Sequence, residues 1–233
     1  MRNAPGGRYA RISFDCYGTL IDWSSGILRA LEPFRDRMAG GDDDDSVIAQ
    51  YADAERRAER ALEKGGYRPY REVLADVMRD LVPGCTESES GAIAESIRDW
   101  EPFEDTNPAL KMLSDEYRLA IVSNVDDDLF TPTLQKLLAP IAEVVTAEQV
   151  RSYKPARKHF DVLIQRLSLA PHEILHVAES RHHDIEPASA LGFPTCWVRR
   201  PGGASASGSA AKDDGGAGFV CDSLMGVCDR LGL

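Results

Sequence analysis

Cations are scarce in this chain. Lys and Arg number 27 against 38 Asp and Glu in 233 residues, for a net charge of -11. Binding to nucleic acid or to an anionic membrane needs a basic face, so the balance argues against both. A small anionic substrate stays within reach, because a few local cations suffice for one. Long apolar runs are also missing. No stretch approaches the roughly 20 residues of a membrane span. The opening MRNAPGGRYARISF has no long apolar region before a cleavage site and does not read as a signal peptide. Cysteine is sparse and scattered. Cys16, Cys85, Cys196, Cys221 and Cys228 form no CxxC pair and no zinc spacing, which predicts buried free thiols in a reducing cytoplasm. No internal repeat is visible.

What is present suits an α/β protein: 43% hydrophobic residues, 28% charged, and enough length for a sizeable core. The segments ARISF, RLAIVS, EILHVA and PTCWV read as buried parallel strands. AEVVTA is a weaker strand, and GFVCDSL a short last one entering a helix. Strand-helix alternation predicts a Rossmann-like parallel sheet with crossover helices. The alternation breaks between Trp23 and about Phe103. There VIAQYADAERRAERALEK repeats at helical spacing and stops at Gly65-Gly66. YREVLADVMRDLV stops at Pro83-Gly84, and Thr86 with Glu89 has capping-box spacing. The expected organisation is a core of residues 1–22 and 103–233 with a helical cap, 23–102, inserted after the first strand. Asp42 to Asp45 reads as a solvated loop lacking calcium-loop spacing. PGGASASGSAAKDDGGAG reads as a flexible surface loop.

Ligands of an open parallel sheet bind beyond the carboxyl ends of its strands. Four such ends carry polar groups: Asp15, then Ser123 and Asn124, then Lys154 before a helix start, then Glu179, Ser180 and Asp184. Converging, they would supply a nucleophile, a hydrogen-bonding pair, a cation and an acidic cluster. Lys154 beside Asp15 would hold that carboxylate ionised and lower its pKa. Gly18 permits a tight turn, and Thr19 can hydrogen-bond the nucleophile or substrate, or cap a helix. Strand alternation points Cys16 away from Asp15. Adjacent His182 and His183 suit surface or supporting positions better than metal ligation.

The order Asp15-Cys16-Tyr17-Gly18-Thr19-Leu20, Ser123-Asn124, Lys154-Pro155, Glu179-Ser180 and Asp184 resembles the haloacid dehalogenase superfamily over nearly the whole chain. FDCYGTLIDW is most similar to the type II 2-haloacid dehalogenase branch. The resemblance implies catalysis by Asp15, Lys154 and Asp184. It implies substrate contacts from Tyr17, Thr19, Ser123, Asn124 and Ser180. Phosphatases of the superfamily carry a second aspartate where Tyr17 stands, as general acid for an alkoxide. Halide needs no proton, so Tyr17 favours carbon-halogen chemistry without a cofactor.

Two features pull the other way. The branch's cap arginine is absent from Tyr51-Ala52-Asp53-Ala54-Glu55, leaving Arg56, Arg57, Arg68 or Arg71 as substitutes. Glu179 stands where dehalogenases carry neutral groups. The alternative is therefore a Mg²⁺-dependent phosphatase, with Asp15, the Tyr17 carbonyl, Glu179 and Asp184 around the ion. A non-catalytic scaffold is the third reading. The expected partner is a small anionic substrate, held in a small pocket whose lining mixes apolar groups with few charges. The expected location is cytoplasmic, and a homodimer is compatible with the sequence.

Overall fold

The computed structural model describes residues 9–63, 66–200 and 218–233. The chain enters through β1 (Arg11–Phe14) and leaves at once into helices. These are α1 (Trp23–Leu31), a 3-10 turn, α2 (Asp44–Glu63), α3 (Tyr70–Leu81), α4 (Glu87–Ser90) and α5 (Ala92–Ser96). Alternation then resumes with α6 (Thr106–Glu116), β2 (Arg118–Ser123), α7 (Asp127–Lys136), β3 (Ile141–Thr146), α8 (Ala147–Val150) and α9 (Lys158–Leu167). β4 (Ile174–Ala178), a π-helical turn (Arg181–Ile185), α10 (Glu186–Ala190), β5 (Thr195–Val198), β6 (Phe219–Cys221) and α11 (Leu224–Leu231) complete it.

The six strands form one parallel sheet in the order β3-β2-β1-β4-β5-β6. Burial explains the composition: β4 is wholly buried and β2 exposes only Arg118. Apolar side chains therefore point both ways, as a sheet covered on both faces requires. Phe14 is level with Ile121 of β2 and Val177 of β4. Asp15 and Ser123 thus emerge at one edge, with Glu179 and Ser180 just past β4. The order reverses at β1, which is where such sheets form a crevice.

The helical segment shares one continuous apolar cluster with the sheet: Ile27, Val47, Leu74, Met78 and Ile93 pack together with Phe14, Ile121 and Val177. Its entry and exit strands lie side by side. Asp22 N–H donates to Glu101 O (2.9 Å), Phe103 N–H to Leu20 O (3.1 Å), and Ile21 bridges Pro102. The buried Arg200 ties that junction to the core, donating twice to Thr19 O (3.0 and 2.9 Å) and once to Asp105 Oδ1 (2.8 Å). A further link crosses between the two regions. Asp126, just after β2, accepts the Tyr70 and Arg71 amides at 2.8 and 3.0 Å, capping α3 from outside its own segment.

Some expectations change here. Helix α2 begins inside the acidic run, because Asp43 accepts the Ser46 amide (3.0 Å) and Asp44 and Asp45 suit the positive end of a helix. The helix after Lys154 starts at Lys158, leaving Lys154 in a turn. Helix α1, which no strong propensity announces, is capped by the Asp22 side chain on Ser25 N (3.1 Å). The five cysteines are free thiols, but Cys85 is half-buried. Most of the Gly-Ser-Ala loop lies outside the described residues. Among the described residues, no helix is long and apolar enough to cross a membrane.

Candidate active site

The turn after β1 makes the floor of the site. Gly18 has φ +94°, a left-handed conformation that costs glycine little. The turn folds back so that Cys16 O accepts three amides, from Thr19, Leu20 and Ile21, at 3.2, 2.7 and 3.0 Å. Asp15 is thereby held at the sheet edge, 7% exposed.

Lys154 brings the other strand ends to it. Its Nζ donates to Asp15 Oδ1 (2.8 Å), Asp184 Oδ1 (2.7 Å) and Val122 O (3.0 Å). An ammonium has three donors, so all are engaged. Asn124 fixes the lysine backbone from both sides, accepting Lys154 N–H (2.7 Å) and donating to Lys154 O (3.2 Å). Thr19 Oγ1 donates to Asp15 Oδ2 (2.7 Å) and accepts the Glu179 amide (2.9 Å). Thr19 is fully buried behind the carboxylate, so it supports Asp15 and forms no part of the pocket wall; the cap of α1 is Asp22 instead. Ser180 Oγ accepts the His183 amide (3.1 Å), starting the π-helical turn that carries Asp184 inward.

His176 is a site residue that the sequence did not single out. In the middle of the buried strand β4, its ring spans Ser13 Oγ (2.9 Å) and Asp184 Oδ1 (3.0 Å). A polar side chain inside an otherwise apolar strand was the available signal. Burial alone would raise the Asp184 pKa, but Lys154 and His176 outweigh it and hold the group at about 2. Burial also works against the Lys154 charge, yet Asp15 and Asp184 raise its pKa above the ordinary value. Asp15 departs from the expectation that Lys154 sets it low. Desolvation, reinforced by Asp184, outweighs Lys154 and Thr19, and its pKa rises.

The pocket above Asp15 has a volume of about 90 Å³. Tyr17, Ser123, Asn124, Lys154, Ser180 and Asp184 all line it. Ser123 Oγ and Asp184 Oδ2 are buried with no hydrogen-bond partner among the described residues. The Tyr17 hydroxyl pairs with Thr133 Oγ1 (2.9 Å), and its ring meets Trp100 edge-on at 5.6 Å. Burial raises the Tyr17 pKa well above that of a free phenol.

The far wall differs from expectation. It is charged: Tyr51, Glu55 and Glu59 recur every fourth residue on one face of α2 and reach the pocket. Glu59 pairs with His183 Nε2 (3.1 Å), so His183 is a pocket residue while His182 is exposed. None of the arginines considered as substitutes lines this pocket. Arg56 and Arg57 pair with Asp53, Arg68 with Glu72 and Asp76, and Arg71 with Asp128. Arg181 lies over the Trp197 ring at 5.4 Å.

A resident magnesium would need Asp15, the Tyr17 carbonyl, Glu179 and Asp184 to converge. The Lys154 ammonium bridges Asp15 Oδ1 and Asp184 Oδ1, and the Glu179 amide and carbonyl serve Thr19 and Trp197. Among the described residues, no group of three or more His, Cys, Asp or Glu side chains is arranged to hold a metal ion.

Residues 12–198 match the model of the haloacid dehalogenase-like hydrolases. The chain belongs to that family, and it is a hydrolase with the α/β core expected from its motifs. It is 26% identical over 198 residues to haloacetate dehalogenase H-2 of Moraxella sp. (strain B), covering 82% of this chain and 86% of that one. It is likewise 26% identical over 200 residues to an (S)-2-haloacid dehalogenase of Pseudomonas putida, covering 83% and 86%. The fold matches the L-2-haloacid dehalogenase of Xanthobacter autotrophicus, solved with chloropropionic acid covalently bound, at a TM-score of 0.77 and 21% identity, over 96% and 98% of the two chains.

Proposed function

We propose that this hydrolase displaces halide from a small 2-haloacid through an ester on Asp15. An oxygen of Asp15 attacks the carbon bearing halogen. The carbon-oxygen bond forms as the carbon-halogen bond breaks, halide leaves with its electron pair, and the carbon inverts. Water then adds to Asp15 Cγ, and cleavage of the Cγ–O bond to substrate restores the carboxylate and releases a 2-hydroxy acid. Asp184 Oδ2, buried and unpartnered, is suited to orient that water, with Lys154 stabilising the charge on Asp15. Ser123 Oγ is suited to hold the substrate carboxylate. The raised pKa of Asp15 fits a nucleophile stripped of water, and Lys154 opposes the rise by favouring its ionised form.

The observation that carries this reading is Tyr17. Where the family's phosphatases place a general acid, this chain has a phenol tied to Thr133 and disinclined to ionise. Halide departure needs no proton there. The names of the 26%-identical relatives point the same way. Residues 23–102 would act as the cap that keeps water from the first step, over a core of 1–22 and 103–233. A cytoplasmic location suits the free thiols, and sedimentation distinguishes a monomer from a homodimer. The test is a paired assay of halide and phosphate release, each with and without chelator. Halide release that survives EDTA supports the proposal. Phosphate release that needs Mg²⁺ overturns it.

A further inference from the structure

The pocket has a charge imbalance that a plain haloacid does not satisfy. Four carboxylates line it, from Asp15, Glu55, Glu59 and Asp184, against two cationic groups, Lys154 and His183. Both are committed to the protein's own acids: Lys154 to Asp15 and Asp184, His183 to Glu59. Glu59 Oε1 also takes Asn124 Nδ2 at 3.4 Å. Glu55 differs, because its Oε1 accepts only neutral donors, the hydroxyls of Tyr51 and Tyr70. Tyr51 and Tyr70 touch it, and Tyr17, Trp23 and Trp100 line the same pocket, with Trp23 and Tyr51 5.4 Å apart and Tyr17 against Trp100. A carboxylate among aromatic faces is the surrounding that stabilises an organic ammonium, through both its charge and the ring quadrupoles. Ser123 lines the same pocket, and its buried hydroxyl, without a hydrogen-bond partner among the described residues, can serve as a donor to an anion.

We propose that Glu55 and its aromatic surround recognise an ammonium group, and that the substrate is a small amino-substituted 2-haloacid, with its carboxylate toward Ser123 and its ammonium toward Glu55. This rests on the dehalogenation reading of the same site and names the substrate class within it. Such a zwitterion adds no net negative charge to a pocket already rich in it. A plain 2-haloacid adds one and brings Glu55 no partner of opposite charge.

The charged and titratable groups facing Glu55 fix how pH acts on it. They are Tyr51 and Glu59 on α2, Tyr70 on α3, His183 on the π-helical turn, and Asp15, Lys154 and Asp184 on the floor. Burial first, then Glu59, raise the Glu55 pKa to about 7 against the opposing pull of Tyr70, Tyr51 and His183. Discrimination therefore strengthens above neutral pH, where Glu55 is ionised, and fades below it.

The experiment has two arms. In the first, binding of isoserine and of lactate, the expected products with and without the amine, is measured by calorimetry at pH 8 and pH 5.5. In the second, halide release from 3-amino-2-chloropropionate is compared with that from 2-chloropropionate. Both use wild type and Glu55→Gln. At pH 8 the amino compounds are expected to lead by about tenfold or more, the scale of one partly desolvated charge pair. The lead should shrink toward parity at pH 5.5 and in Glu55→Gln. Lactate binding as tightly as isoserine at pH 8 overturns the proposal, whatever the halide assay gives. So does a lead that Glu55→Gln and pH leave unchanged. If that variant does not fold, the pH dependence of wild type decides the question in the same way. Selective isoserine binding without halide release from either compound retains the ammonium site and overturns the dehalogenation reading instead.

Discussion

His176 Nε2 lies 3.0 Å from Asp184 Oδ1, the same oxygen that accepts the Lys154 ammonium. The imidazole and the ammonium together fix the carboxylate through Oδ1, leaving Oδ2 without a partner among the described residues. His176 touches neither pocket nor substrate, so it is a positioning residue. His176→Leu should slow ester hydrolysis more than ester formation, so that the alkylated enzyme accumulates. The acid limb of the rate profile should also move upward, because Asp184 loses one of the groups that depress its pKa. Mass spectrometry of quenched enzyme and a pH-rate profile read the two effects. A variant with lower stability but the same profile and no accumulation would assign His176 to packing alone.

Lys154 joins two buried carboxylates, so its removal is expected to harm the fold as well as turnover. Lys154→Met leaves both acids without their cation, a loss of the kind that costs about 3–5 kcal/mol. Protonation of Asp15 or Asp184 would relieve part of it, so the variant should recover stability as pH falls. Urea unfolding between pH 8 and pH 4 checks this. Equal loss at every pH would contradict the ion-pair account.

Asp184 also predicts an acid limb in the wild type. Its folded pKa, about 2, lies below the ordinary carboxylate value. Its contribution is present above that ordinary value and is lost as pH falls from about 4 through about 2. Asp15, with a raised pKa, contributes with the opposite sign. Asp184→Asn should therefore flatten the loss of unfolding free energy below about pH 4. An unchanged slope would mean that other carboxylates set it.

Gly26 offers a test of the pocket wall from outside it. A Cβ at this position would overlap the indole of Trp100, a residue that lines the pocket. Gly26→Ala should cost about 1–3 kcal/mol through overpacking. It should also raise KM, because the indole must shift toward the cavity. Denaturation and steady-state kinetics measure the pair, and a stability loss with unaltered KM would show that the helix yields instead.

Glu179 is 4% exposed, and its backbone is engaged by Thr19 and Trp197. Glu179→Gln keeps those backbone contacts, so halide release should be largely retained, with or without EDTA. Mg²⁺-dependent phosphate release that disappears in this variant would move the assignment to phosphatase.

The strands and floor residues were readable because each has a local signature. Apolar runs ended in Asp15, Ser123 or Glu179, and a parallel sheet brings such ends together. What stayed hidden depends on contacts between distant segments. Asp126 caps α3 across 56 residues of sequence. His176 looks like any strand residue until Ser13 and Asp184 flank its ring. The absence of the branch's arginine from Tyr51 to Glu55 was plain, but that Glu55 and Glu59 line the same pocket as Asp15 required the docking angle of the helix. The pKa of Asp15 was out of reach for a related reason: the attraction of Lys154 could be anticipated, whereas the depth of burial and the nearness of Asp184 could not.

The central claim is that Asp15 becomes esterified, and isotope transfer tests it most directly. Enzyme in excess over 2-chloropropionate, or over its 3-amino derivative, is allowed one turnover in ¹⁸O-water. The Asp15 peptide and the hydroxy acid are then weighed by mass spectrometry. Attack of water on Asp15 Cγ places ¹⁸O in the Asp15 carboxylate and leaves the first product unlabelled. Label in the product, with Asp15 unlabelled, would mean that water attacks the substrate carbon directly, and would contradict the account.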